Sequence, residues 1–452
     1  MNTYHILSAT VYLFVAAIVI CEALLAIRSF SYRKEVALLN PEHPELANAN
    51  QFAFSIGWLG SLDSIIIVTF SRKICIANGV SQALASMPVI MMSIGSLIGI
   101  EMFRPLRNHI GIRNIVIFSY ALYTVSAVTC IWCVGTNSFI GICTAKIICG
   151  IASGLLNAVM YRLPSLWKDN DKGIRTVTTD IENGLITSGI LGVFAGGILA
   201  TYVSYVSIYL LEAVTAVCFL FIGCFIFIKK ESRFNKPDQT QKRDMISRAF
   251  QFIRTPVMIS FLLIFILYNG VALCYKQIIF PLFSDDLGFS EQTISDMYIL
   301  ARCLIYFSFR FIEKLLLKVR SRNILIGSQI LMGVSFLMFL RFDTSFLWAS
   351  AMLFITGTLC KLIKNHGTAL WNKELFDNQI KSYYANPPLM VITAIINAIA
   401  PGLLSLLLSL GVKVMGAVMG LSALCFAVIY VFATLTHTNF FKEKSYNESS
   451  YR

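Results

Sequence analysis

Charged side chains are what this chain has least of: Asp, Glu, Lys and Arg together make up 13% of its 452 residues. Soluble domains carry about a quarter, so a water-facing charged surface around a buried core is excluded as the general plan. Histidine is scarcer still, with five in the chain. Neither H-E-x-x-H nor a cluster of His with paired carboxylates occurs, which leaves zinc hydrolysis and acid-base chemistry on a lipid substrate without their residues. A phosphate-binding G-x-x-x-x-G-K-[ST] and an EF-hand loop are missing as well, so ATP-driven transport within this chain and calcium sensing are also set aside. Cysteine is present twelve times but scattered. Cys130, Cys133, Cys143, Cys149, Cys218 and Cys425 fall in apolar runs, where a thiol packs as a small hydrophobe. Cys130-x-x-Cys133 lacks a nearby His or Asp, so neither zinc nor redox chemistry is expected of it. No metal, no cofactor and no enzymatic activity are predicted.

What the chain does have is apolar length. Residues of the hydrophobic classes make up 57% of it, and the mean hydropathy is +0.72. Stretches near the roughly 20 residues needed to cross a bilayer recur along most of the sequence. They are continuous rather than alternating, and a lipid-embedded backbone must satisfy its own hydrogen bonds, so they predict helices rather than a closed barrel. A first run, His5 to Ile27, is followed by Arg28, Arg33 and Lys34 and reads as a retained helix rather than a cleaved signal. Twelve more follow: Gln51–Ser71, Gly79–Phe103, Asn114–Val134, Phe139–Tyr161, Glu182–Tyr202, Tyr205–Ile228, Pro256–Tyr275, Thr293–Phe311, Ile324–Leu340, Phe346–Ile363, Pro387–Leu410 and Val414–Leu435. The expected fold class is all-α, a polytopic membrane protein.

The formal net charge of +13 implies topology rather than nucleic acid, because Lys and Arg accumulate in loops held on the cytoplasmic side. Lys229, Lys230, Arg233, Lys236, Lys242, Arg243, Arg248 and Arg254 fill one linker between the sixth and seventh of the twelve helices. With that linker inside, Arg72, Lys73, Lys276, Arg341 and Lys413 are left outside. The expected placement is a multi-pass protein of the cell (inner) membrane, N-terminus outside and C-terminus cytoplasmic. Five regions result: 1–50, an extra helix and cytoplasmic loop; 51–228, a six-helix half; 229–255, the basic linker; 256–436, a second six-helix half; and 437–452, a cytoplasmic tail.

An internal repeat supports the halves independently of charge. Arg113-Asn114-Ile115 opens a segment through Ile117, Ser119, Leu122, Val125 and Ser126. The pattern returns about 209 residues later as Arg322-Asn323-Ile324 with Ile326, Ser328, Leu331, Val334 and Ser335. Six helices separate the copies. An even number keeps their orientation the same, which predicts two bundles related by a pseudo-twofold axis along the membrane normal.

Four short segments carry a family likeness. Arg104-Pro105-Leu106-Arg107-Asn108-His109-Ile110-Gly111-Ile112-Arg113 resembles the loop G-x-x-x-D-R-x-G-R-R. It keeps Gly111 and Arg113 and departs at Arg104, Asn108 and Ile112; Glu101, one turn earlier, is the candidate substitute for the missing carboxylate. Lys146-Ile147-Ile148-Cys149-Gly150 is similar to R-x-x-Q-G. Leu62-Asp63-Ser64-Ile65-Ile66-Ile67-Val68 is similar to L-D-x-T-I-V-N. Gly192-Val193-Phe194-Ala195-Gly196-Gly197 resembles G-P-x-x-G-G with Val193 in place of Pro. These are the segments of drug:proton antiporters of the major facilitator superfamily, and the chain resembles that family with degenerate motifs. The resemblance implies a secondary active transporter of small organic molecules that works by proton-coupled efflux and alternating access.

Asp63 and Lys146 are the expected coupling residues. A lone charge at mid-membrane costs roughly 2.5–3.5 kcal/mol, so each needs a partner or a cavity, and they predict each other. Arg302, in the middle of the eighth helix with Tyr298 one turn away, and Asn269 in the seventh are the further cavity candidates. Glu101, Asn108, Gly111 and Arg113 form the candidate conformational-switch loop, and Gly192, Gly196 and Gly197 the candidate packing face. Glu212 and Asp296 fall nearer the outer helix ends, where hydration lessens the cost of charge. The expected partners are a small-molecule substrate, protons and the lipid bilayer, with no nucleic acid and the chain a monomer. The eroded loop and the extra helix motivate an alternative, a transporter-derived sensor or scaffold that binds without turnover.

Overall fold

The computed structural model describes residues 9–13, 15–17, 20, 57–59, 74–81, 84–162, 171–226, 253–277, 290–316, 319–338, 346–377 and 382–436. Asp63, most of the basic linker and the C-terminal tail lie outside the described residues, as do the side chains of Arg104, Asn108 and Asn269. Among the described residues the secondary structure is helical, without a strand. In chain order the helices are α1 (Met87–Gly135), α2 (Phe139–Arg162), α3 (Asp171–Tyr202), α4 (Val206–Ile226), α5 (Pro256–Gln277), α6 (Glu291–Leu316), α7 (Ser321–Leu337), α8 (Phe346–Asp377), α9 (Ser382–Ser409) and α10 (Val412–Thr436). Met87–Arg107, His109–Gly135, Phe139–Met160 and Lys413–Leu435 are long and apolar enough to cross a membrane. Hydroxyls inside these runs turn back on their own helices, as Ser119 donates to the Ile115 carbonyl at 2.8 Å and Thr129 to that of Val125 at 2.7 Å. That local bond lets a polar side chain sit in an apolar setting.

The link between the first two of these spans is shorter than the sequence suggests. Arg104–Arg113 reads in the sequence as a loop between two helices; in the structure helical backbone extends into this segment from both sides, and α1 is two helices joined across a kink at Gly111 (φ 78°, ψ 165°). Those angles belong to glycine, since a Cβ clashes there. Gly111→Ala is expected to lower stability by about 1–3 kcal/mol, read as a fall in the melting temperature of the purified protein.

The repeat in the sequence is answered by repeated packing. Arg113 at the start of the first copy donates from Nη2 to the Cys224 carbonyl near the end of α4, 3.0 Å away. Arg322 at the start of the second donates to the Thr434 hydroxyl near the end of α10. Ser119 and Ser126 are buried in one copy, and Ser328 and Ser335 in the other. Between the N-terminal and C-terminal helices the larger contacts are α1 with α9 and α3 with α6, a reciprocal pairing that a twofold relation produces. The start of the chain also joins this body. Val11 and Val15 are buried in the core of the N-terminal helices, and Tyr12 meets Phe194 of α3 edge-on, with ring centroids 5.3 Å apart.

Candidate functional site

α2 and α4 each carry one charge deep within an apolar run. Lys146 has no exposed surface, and Glu212 is 1% exposed. Their side chains meet, Lys146 Nζ standing 3.7 Å from Glu212 Oε2, a separation that makes an ion pair rather than a hydrogen bond. The Cys149 thiol donates weakly to Oε1 of the same carboxylate at 3.8 Å. The ammonium also lies 5.2 Å from the centroid of the Tyr209 ring, whose face attracts a cation. Tyr209 and Glu212 sit one turn apart on α4, as do Lys146 and Cys149 on α2, so each helix brings two of these side chains from one face. Each charge alone costs roughly 2.5–3.5 kcal/mol to insert; the pairing offsets part of that and holds the two helices in register.

Glu212 was expected near an outer, hydrated helix end, and the structure instead buries it against Lys146. Matched depth is the signal that could have found it, because Lys146 and Glu212 both lie about two turns into their predicted spans. Asp63, the partner the sequence suggests for Lys146, lies outside the described residues.

The other candidates fall in different places. Arg302 is half-buried on α6, where it donates from Nη2 to the Tyr298 hydroxyl at 2.6 Å and covers the Tyr298 ring at 5.0 Å. Asp296, on the same helix, is buried. Asn269 has its backbone in α5, and Asn108 in α1. Glu101 is exposed on α1, while Gly111 and Arg113 make the break and the α4 contact described above. Gly192, Gly196 and Gly197 are buried in α3. Other glycines make backbone-to-backbone contact: Gly150, which closes the Lys146–Gly150 segment, and Gly95, Gly99 and Gly154, which fall in no motif. A Cβ on Gly150 would stand 2.0 Å from the Met92 carbonyl oxygen, and one on Gly95 2.2 Å from that of Ile147. Gly99 and Gly154 repeat the arrangement one turn on. Their i, i+4 spacing on both helices is the signal that could have found them.

Both clusters sit in a helical body whose contacts repeat between its two ends, and the sequence matches the Major Facilitator Superfamily over residues 52–370. The chain belongs to the major facilitator superfamily. It is therefore a member of a secondary-transporter family, and its fold agrees with solved members. A variant of the nucleoside transporter NupG superposes with a TM-score of 0.66 at 12% identity, covering 87% of this chain and 100% of that one. The unmodified NupG structure gives 0.63 at 12% identity, with 88% and 99% covered. At that identity the likeness is one of fold. No curated protein matches by sequence. In this superfamily the two halves meet around a site near the bilayer midplane, which is the level of Arg302 in its predicted span.

Proposed function

We propose that this superfamily member is a proton-coupled secondary transporter that moves small organic molecules outward across the cell (inner) membrane, as a monomer. The observation that carries the reading is the buried Lys146–Glu212 pair, an acid and a base kept inside an apolar body. Rocking of the 51–228 and 256–436 halves about the α1–α9 and α3–α6 contacts exposes a central site to each side in turn. Asp63 is the proton-exchanging carboxyl in this reading. Lys146 is the cation whose approach favours the ionised acid, and Glu212 holds Lys146 when it is not so engaged. Glu101 and Arg113 flank the Gly111 break, which lets the two parts of α1 re-angle between states.

The test is flux in proteoliposomes under an imposed pH gradient. Asp63→Asn is expected to abolish gradient-driven transport while leaving gradient-independent exchange of substrate in place, since exchange needs no net proton movement. Gradient-driven flux that survives in Asp63→Asn removes the proton role from that residue. The sensor or scaffold alternative predicts ligand binding with no sustained flux in any variant.

A further inference from the structure

The helices hold several cations among apolar residues, and most are already occupied. Lys146 faces Glu212, Arg113 donates to a carbonyl near the end of α4, Arg322 to the Thr434 hydroxyl of α10, and Lys361 lies 4.1 Å above the Phe309 ring. Arg302 differs. Among the described residues its polar contacts are with Tyr298 alone, one hydrogen bond and one ring face, and no carboxylate lies within 4.0 Å of it. A guanidinium has five donors in a planar fork, so the described residues take up only part of its hydrogen-bonding capacity. Asp296 on the same helix does not reach it; the two are six residues apart, which points them away from a common face.

The duplicated scaffold does not ask for this arginine. Carrying the repeat offset back from α7 to α6 sets Ser93 of α1 at the corresponding place, and Ser93 is satisfied within its own helix by the Val89 carbonyl at 3.0 Å. α1 and α6 play matching parts, each touching the opposite half through α9 and α3 respectively. Tyr298 belongs to the core shared with the N-terminal helices, so Arg302, one turn on, borders the seam between the halves. A half-buried fork at mid-membrane on that seam, held in orientation by a phenol, is suited to a planar or tetrahedral oxyanion.

We infer that Arg302 is a substrate-binding residue and that the transported compounds are organic anions bearing a carboxylate or phosphate. This rests on the transport reading above and narrows its substrate class. The experiment uses the full chain in nanodiscs, with melting temperature recorded against benzoate, phenyl phosphate, neutral benzamide and cationic benzylammonium. Benzoate, phenyl phosphate or both are expected to raise the melting temperature of the wild type, and the anion that does so identifies the group preferred. Arg302→Gln is expected to weaken that binding roughly 10- to 100-fold, the scale of a charge-assisted hydrogen bond, and Arg302→Lys to retain part of it. Arg302→Gln removes a mid-membrane charge, so its insertion is not impaired. Stabilisation by benzamide or benzylammonium as strong as by the anions, no stabilisation by either anion, or an unchanged response in Arg302→Gln overturns the assignment. A flux arm in proteoliposomes separates the two readings. Anion binding that depends on Arg302 without flux of any probe sinks transport and keeps the site, whereas flux of the neutral or cationic probe unaffected by Arg302→Gln does the reverse.

Discussion

Lys146→Met is expected to lower the stability of the folded protein by about 3–5 kcal/mol, the usual cost of removing one member of a buried ion pair. The reason is geometric. Glu212 is 1% exposed, and the ammonium 3.7 Å from its carboxylate compensates a charge that water does not reach. Methionine fills the space of the lysine stem but leaves that carboxylate with less compensation. Glu212→Leu is expected to behave alike from the other side. The decisive variant is the double replacement, Lys146→Met with Glu212→Leu, which exchanges the pair for apolar volume and is expected to recover most of the lost stability. A double-mutant cycle on melting or denaturant midpoints reads the coupling directly. Additive losses show that the pair contributes nothing beyond its separate residues. Transport should distinguish the roles further: the double variant is expected to fold yet lose proton-driven flux, because stability returns and the acid-base function does not.

Gly150 carries the second large effect. A methyl group there would stand 2.0 Å from the Met92 carbonyl oxygen and 2.9 Å from the Gly95 Cα, and backbone atoms cannot rotate aside as a side chain can. Gly150→Ala must push α1 and α2 apart along their whole line of contact, where Gly95, Gly99 and Gly154 make the same close approach. The expected loss is about 3 kcal/mol, the upper end for overpacking, and Gly150→Leu is expected to leave no folded protein. Gly327 on α7 is the control, since a Cβ there meets nothing within 4 Å. Gly327→Ala is expected to be neutral or to stabilise by up to about 1 kcal/mol through helix propensity. Size-exclusion profiles and melting curves of the three variants check the order. A Gly150→Ala protein as stable as wild type would mean that α1 and α2 do not meet at this distance.

How much of this was legible in the chain differs from residue to residue. The apolar runs, the break at Gly111 and the likeness of the Arg113 and Arg322 segments could be read in advance, because each depends on local composition or spacing. The need of Lys146 for an opposite charge could also be read, since burying a charge is costly wherever it occurs. Its pairing with Glu212 was legible only as a matched depth, because α2 and α4 are separated in sequence by α3 and their rotation about their own axes is set by packing. Likewise the glycines read as a packing face lie in α3, while Gly95, Gly99, Gly150 and Gly154, which bring α1 and α2 into backbone contact, were not read as one.

The second part of α1 shows why. Val116, Tyr120, Tyr123, Ala127 and Cys130 are buried on one side, while Phe118, Val125, Val128 and Trp132 are exposed on the other, and both sets are apolar. In water the two faces of such a helix differ in polarity and announce which one turns inward. In lipid the outer face is as apolar as the inner, so hydrophobicity cannot say which side meets a neighbour. Sequence alone therefore determined that this chain forms membrane-spanning helices in a duplicated body, through backbone hydrogen bonding and the length of its apolar runs. Which faces meet, which acid holds Lys146, and that Arg302 keeps its donors at the seam were decided only by the tertiary packing of those helices.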